Sequence, residues 1–205
     1  MKIGIIGAGG IGAAHARQFV KAGCEVVLSN SRGPESLSAL VRELGSGAKA
    51  GTVEDAAGCE IVVVAVTWRQ LPDALAGLPP WSGRIAVDAT NPILMPEFLP
   101  ADLGGRTSSE VFVELVPGAR VVKAGNTLPP ELLGADPRVG EGRRVLFMSG
   151  DDADAKKEYA RVLEKAGFAV ADLGGLVSGG RIQQFPGGAL PGLDLIRMSR
   201  ESGEG

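Results

Sequence analysis

Aromatic side chains are scarce in this chain, at 4% of 205 residues, so its core has to be built from small and aliphatic groups. There is one histidine, His15, which excludes multi-histidine metal sites. The two cysteines, Cys24 and Cys59, lie far apart with no C-x-x-C spacing and no histidine beside them. They read as reduced, buried thiols, and no metal site is expected. A basic excess is also missing: the formal net charge is -3, which leaves no electrostatic footprint for nucleic acid or an anionic membrane. The longest unbroken apolar run, Ile61 to Val66, is far too short to span a bilayer, and no signal-peptide pattern precedes the first apolar segment. These absences together predict a cytoplasmic protein that binds small molecules.

What is abundant is glycine, 31 residues, together with alanine and valine. The informative stretch is KIGIIGAGGIG at residues 2–12, an apolar run followed by Gly7, Gly9 and Gly12 in the spacing G-x-G-x-x-G and then an alanine-rich helical segment. Strand, tight turn and helix in this order form a dinucleotide-binding unit. Gly7 permits the turn, Gly9 lets the backbone approach a pyrophosphate, and Gly12 lets the helix lie close on the strand. The helix start offers free N–H groups to the phosphates, so Ala8, Gly10 and Ile11 belong to the same site. His15, one turn further on, reads as a partly buried helix residue with a local hydrogen-bond partner, outside any active site.

At the tip of the second strand, Glu25 to Ser29, a NAD-binding chain carries an acid for the ribose 2′-hydroxyl. Here Asn30, Ser31 and Arg32 stand instead. A neutral amide, a hydroxyl and a guanidinium suit a 2′-phosphate, which predicts NADP(H). Beyond it, apolar strands alternate with helices. The strands are Ala48 to Gly51, Glu60 to Val66, Arg84 to Asp88, Ala119 to Ala124, Arg143 to Ser149 and Phe168 to Leu173. The helices are Glu35 to Leu44, Val53 to Ala57, Trp68 to about Leu78, Thr107 to Leu115 with Ser108 or Ser109 as its cap, and Asp152 to Ala166. The rhythm predicts one α/β domain with a doubly wound, mostly parallel Rossmann-type sheet over residues 1–196. From about residue 174 a glycine- and proline-rich stretch with interspersed apolar residues reads as a cover segment, and residues 197–205 as a disordered tail. Ligands lie at the carboxyl ends of such strands, which adds Val66, Thr67, Trp68, Asn91, Pro92, Ala124, Asn126 and Thr127 as candidates, with Leu190 from the cover segment. Trp68 reads equally well as the first core residue of the helix that follows it.

The segments IGIIGAGGIGAAHA, LSNSRGPESL, VVVAVTW, VDATNPI, PGARVVKAGNT, VLFMSGDDADAK and GGALPGLDLIR, in this order, resemble the NADP oxidoreductases dependent on coenzyme F420, a deazaflavin. The resemblance implies that Gly7, Gly9 and Gly12 hold the NADP pyrophosphate and that Ser31 and Arg32 hold the 2′-phosphate. More loosely, it implies that Thr67, Trp68, Asn91, Asn126 and Thr127 enclose nicotinamide and deazaflavin. Where some members place a further basic residue this chain has Ser36, which implies a weaker grip on the 2′-phosphate. The implied reaction is direct hydride transfer between two rings held face to face. It demands no acid, base or nucleophile, and no catalytic side chain is assigned. The alternatives are an NADPH reductase for a free flavin or a small carbonyl, and a non-catalytic NADP(H) sensor. The apolar residues after the last strand, among them Phe185, Leu190, Leu193 and Ile196, predict a homodimer whose acceptor pocket is closed by the chain's own C-terminal segment.

Overall fold

The computed structural model describes residues 1–198. Strand β1 (Lys2–Ile6), helix α1 (Gly10–Lys21) and β2 (Glu25–Ser29) form the opening unit. They are followed by α2 (Ser38–Leu44), β3 (Ala48–Ala50), α3 (Val53–Ala57), β4 (Ile61–Val64), α4 (Leu71–Leu75) and β5 (Ile85–Asp88). The hairpin β6 (Ile93–Leu94) and β7 (Leu99–Pro100) leads to α5 (Ser108–Leu115), β8 (Arg120–Ala124), α6 (Pro130–Gly134), β9 (Arg138–Val139) and β10 (Gly142–Ser149). The chain ends with α7 (Ala153–Lys165), β11 (Ala169–Asp172), α8 (Ser178–Gln183) and β12 (Ile196–Met198). Among the described residues no helix is long and apolar enough to cross a membrane.

The sheet order is β11-β10-β8-β5-β4-β1-β2-β3, parallel from β8 through β3. Strand β10 runs antiparallel to β8, and β11 is parallel to β10. Strands β1, β4 and β5 are apolar on both faces because helices cover both. On one face α1, α6 and α7 bury Phe19, Leu133 and Tyr159 against Ile5, Val63, Val122 and Met148. On the other, α3, α4 and α5 bury Ala56, Leu71, Leu75 and Phe112 against Ile6, Val62 and Ala86. This is the doubly wound, mostly parallel arrangement that the alternation of strands and helices implies. Both cysteines are buried and unpaired.

The structure departs from the sequence reading in several places. Helix α5 is capped by Thr107, not by Ser108 or Ser109: Thr107 Oγ1 accepts the Glu110 N–H, and the Glu110 carboxylate accepts the Thr107 N–H at 2.7 Å. That backbone bond, first of all, holds the Glu110 carboxyl below its ordinary range. The two serines turn inward instead. Lys123 and Asp88, at the carboxyl ends of β8 and β5, form a fully buried ion pair at 3.0 Å. Ser109 Oγ donates to Asp88 Oδ2 (2.9 Å), and Lys123 Nζ donates to Ser108 Oγ (3.2 Å) and to the Thr90 carbonyl (3.1 Å). The second carboxylate oxygen accepts both the N–H and the hydroxyl of Thr90.

The segment after residue 174 is also more than a cover. It contains α8, and its end forms β12, which pairs antiparallel with β10. Arg197 and Met198, assigned above to a disordered tail, are therefore in the sheet. Residues 199–205 lie outside the described residues. The first helix after β2 begins as a 3-10 turn, Pro34–Leu37, and becomes α-helical only at Ser38.

Removing one member of the buried pair leaves the other charge without compensation. Lys123→Met is expected to lower unfolding free energy by about 3 to 5 kcal/mol in urea titration. Adding Asp88→Asn to that variant recovers part of the loss if the unpaired carboxylate is its cause.

Candidate functional site

The exits of β1, β2 and β4 meet where the strand order reverses, between β1 and β4, and there they enclose a cleft of about 750 Å³. Its lining includes Gly7, Ala8 and Gly9 after β1, Asn30, Ser31 and Arg32 after β2, and Ala65, Val66 and Thr67 after β4. Each glycine of the loop has its own physical reason. Gly7 has φ 100°, a left-handed value that a side chain strains, and its N–H donates to the Ser29 carbonyl at 3.0 Å. At Gly12 an added Cβ would overlap the Gly7 carbonyl oxygen, so α1 approaches the turn as only a glycine allows. At Gly9 an added Cβ would meet nothing within 4 Å: it would project into the cleft. Gly10 starts α1 against Pro130, and Ile11, the next residue of α1, is partly buried against the core.

At the tip of β2 the Asn30 side chain shapes its own turn. Its Oδ1 accepts the Arg32 N–H (2.9 Å), and its Nδ2 donates to Ser36 Oγ (3.0 Å). The Ser36 hydroxyl in turn lies 2.7 Å from the Gly33 carbonyl. Ser31 and Arg32 are thus presented to the cleft on a tied loop, and Arg32 forms no ion pair among the described residues. Val53 and Glu54 of α3, and Gln70, Asp73 and Ala74 around α4, also line the cleft. The sequence reading missed them because nothing local marks a helix flank as a cleft wall.

A second cavity, about 340 Å³, lies between the β8 exit and the C-terminal segment, lined by Asn91, Asn126, Thr127, Leu128, Pro129, Phe185, Pro191 and Gly192. The two asparagines have their amide groups committed within the protein. Asn126 Nδ2 donates to Asn91 Oδ1 (2.9 Å) and to the Gln183 carbonyl (2.8 Å). Asn91 Nδ2 donates to the Asn126 carbonyl (2.8 Å), while its Oδ1 also accepts the Phe185 N–H (3.1 Å). They tie the segment after α8 down onto the strand exits. Gln183, buried on α8, donates to the Phe147 carbonyl at 3.2 Å and accepts from Ser149 Oγ. The Thr127 hydroxyl is buried and makes no hydrogen bond among the described residues.

Seven of the sequence candidates line neither cavity: Gly10, Ile11 and Gly12 at the start of α1, and Ala124, Trp68, Pro92 and Leu190. Ala124 is fully buried in the core beside α1. Trp68 starts a 3-10 turn and, partly buried, packs against the apolar cluster under α3, α4 and α5. Pro92 is buried, and its carbonyl accepts the Ala101 N–H. Leu190 sits just before the cavity wall, its N–H bonded to the Ile182 carbonyl.

His15 is buried on α1. Its Nδ1–H donates to the Ile11 carbonyl at 3.0 Å, and its ring occupies the space where a Cβ on Gly125 would stand. Burial lowers its pKa from 6.5 to about 4, against the opposing effect of that hydrogen bond. The imidazole is therefore neutral at physiological pH.

The unfolded chain binds a proton near pH 6.5, whereas the folded one does so only near 4. The stability from neutral His15 is thus complete above about pH 6.5 and is lost as pH falls toward 4, roughly 3 kcal/mol in total. Urea midpoints measured across this range should fall more steeply for the parent than for His15→Leu. A second expectation concerns the loop: Gly9→Val keeps its unfolding free energy within about 1 kcal/mol of the parent, because its Cβ meets no protein atom. The same change abolishes NADPH binding in a fluorescence titration. A variant that still binds would show that the cleft is not where the nucleotide lies.

The sequence profile described as NADP oxidoreductase, coenzyme F420-dependent, matches residues 2–92. The hypothetical protein SMa0349 of Sinorhizobium meliloti superposes with a TM-score of 0.91 at 46% identity, covering 96% of both chains. A candidate F420-dependent NADP reductase from Arthrobacter sp. FB24 gives 0.72 at 30% identity, covering 86% of each. Among curated proteins, the metalloreductase STEAP3 of Rattus norvegicus is 29% identical over 191 residues, which is 93% of this chain. The chain spans only 37% of that relative's length. From the profile and the relatives together, the chain belongs to the coenzyme F420-dependent NADP oxidoreductase family.

Proposed function

We propose that this protein binds NADP(H) in the cleft after β1 and transfers hydride between it and a deazaflavin of the coenzyme F420 type held at the second cavity. The observation that carries the reading is the cleft itself. A glycine loop whose middle residue opens onto empty space is followed by a helix N-terminus and by Ser31 and Arg32 on a tied turn. The α1 N–H groups would meet a pyrophosphate, and the Arg32 guanidinium with the Ser31 hydroxyl a 2′-phosphate. When bound, the nucleotide supplies a hydride donor or acceptor. The chain's own part is to position and to exclude water. Leu128, Pro129, Phe185 and Pro191 give the second cavity apolar walls suited to a flat ring, and the asparagine pair fixes the segment that closes it. The charged and imidazole groups buried nearby are not placed for acid catalysis. Lys123 is fully committed to Asp88, Ser108 and Thr90, and His15 is neutral. This favours a ring acceptor over a carbonyl, which requires a proton donor.

The reading extends to assembly and place. Val177, Ile182, Phe185, Leu193 and Leu195 are exposed along the C-terminal segment, and the Phe98 ring of the hairpin lies 6.1 Å from that of Phe185. A second copy of the chain covers this surface in a two-fold dimer. Buried unpaired thiols at Cys24 and Cys59 fit the reducing cytoplasm.

The test is an acceptor screen in which NADPH oxidation is followed with a deazaflavin, a flavin, a ketone and an imine. Turnover with the deazaflavin is expected to exceed the rest. Arg32→Ala should weaken NADPH by about 1.5 to 3 kcal/mol while leaving NADH nearly unchanged. Equal losses for both nucleotides would remove the 2′-phosphate assignment, and binding without turnover for any acceptor would leave a sensor.

A further inference from the structure

Strand β10 is longer than the strand it borders. Its last residues pair with β8, Met148 opposite Ala124 and Ser149 opposite Lys123, and its first residues continue past the β8 exit. There β12 takes over the sheet position that β8 has left, with Arg197 opposite Arg143, while β9 pairs on the other side with Arg138 opposite Arg143. Directly opposed residues project from the same face of a sheet with Cβ atoms about 5 Å apart. Arg138, Arg143 and Arg197 therefore stand side by side in one row. All three are exposed, and none forms an ion pair among the described residues.

Like charges directly opposed across strands are unfavourable, and this chain is acidic overall, so the row is not a by-product of basic composition. The acids closest in sequence are Asp136, Glu141 and Asp194. Asp136 Oδ1 accepts the Arg138 backbone N–H, Glu141 has an interaction of its own, and Asp194 takes the next arginine, Arg144, at 2.7 Å on the opposite face. The face carrying the row is the one that α8 covers further along, because Ser149, three alternations on from Arg143, bonds Gln183. The row thus lies past the β8 exit, and Arg197 follows Gly192, a residue of the second cavity's wall, by five positions in the chain.

We propose that Arg138, Arg143 and Arg197 bind an anionic substituent, phosphate or carboxylate, on the acceptor whose ring occupies the second cavity. Guanidinium forks in a row suit the oxygens of one or two such groups. The proposal rests on the ring-acceptor reading and adds a charge requirement to it.

FMN and riboflavin share a ring and differ in one phosphate, which makes them the probe. With the protein saturated in NADP+, FMN is expected to bind about tenfold more tightly than riboflavin at low salt. The preference should shrink as salt rises and vanish in the triple variant R138Q/R143Q/R197Q, with unchanged NADPH affinity reporting an intact fold. Equal affinity for the two flavins in the parent, or a preference that survives in the triple variant, overturns the proposal. Calorimetry with inorganic tripolyphosphate on the NADP+-bound protein separates the two readings. Binding that is lost in the triple variant supports the anion site even where no acceptor is reduced, a result that would sink hydride transfer alone. Ring acceptors reduced with no dependence on these arginines would sink the anion site and leave the reaction standing.

Discussion

The buried pair of Lys123 and Asp88 is the constraint around which the ligand-side end of the sheet is arranged. It joins two neighbouring parallel strands at their carboxyl ends, next to the point where β10 reverses the strand direction. Two charges taken out of water contribute little net stability, since desolvation offsets most of their attraction. What such a pair can impose is geometry, because every remaining donor and acceptor has to be satisfied in one arrangement. The consequences can be followed outward. Ser108 and Ser109 are drawn inward, so the cap of α5 passes to Thr107. The Thr90 backbone is held from both sides, which aims the next residue, Asn91, at Asn126 and at the Phe185 N–H. The wall of the second cavity is thus tied, through a continuous set of hydrogen bonds, to an ion pair that no ligand would touch.

How much of this could be read from residues alone depends on where the determining partner lies. The glycine loop was legible because its physics is local: the turn, the close approach of α1 to Gly7 and the open face at Gly9 all arise within a few residues. The central strands were legible from their apolar runs, since burial on both faces leaves no alternation to misread. Helix α8 was not. Its sequence, SGGRIQ, has poor intrinsic helix propensity, and it is held by Gln183, whose partners on β8 and β10 are at least 34 residues away. The same holds for β12, which becomes a strand only because β10 overhangs β8. Asn91 and Asn126 stand at strand exits, where a sequence can point to a cavity, but their spacing carries no hint that their amides bind each other. One signal was available and unused: a lysine inside the apolar run VVKAG and an aspartate ending IAVD are costly unless they meet.

The two cavities divide the chemistry by polarity. The first offers backbone N–H groups, a hydroxyl and a guanidinium, groups that suit phosphates, with the carboxylates of Glu54 and Asp73 also in its lining. The second has a mostly apolar lining in which the two asparagine amides bind each other and the C-terminal segment, and the Thr127 hydroxyl makes no hydrogen bond among the described residues. A ring placed there gains from desolvation and meets little that would tie it to a particular heteroatom. Selectivity among flat acceptors then has to come from shape, from Thr127 and from whatever the ring carries outside the cavity.

Proton supply narrows the acceptor further. Reduction of a ketone or imine places charge on one atom, and a group able to give or share a proton has to stand within hydrogen-bond reach of it. His15 is the sole imidazole, and burial keeps it neutral; its one N–H is spent on the Ile11 carbonyl, so it has no proton to give. Lys123 has three donors and three acceptors already around it, and moving a proton from it would strand the Asp88 carboxylate in the core. A threonine hydroxyl can orient an acceptor but is too weak an acid to protonate one. An extended ring system spreads the incoming electron pair over several atoms and can exchange its proton with solvent at an edge left outside the cavity. On the proposed reading, that is the kind of acceptor for which a site that aligns and dries two rings, and does little else, is sufficient.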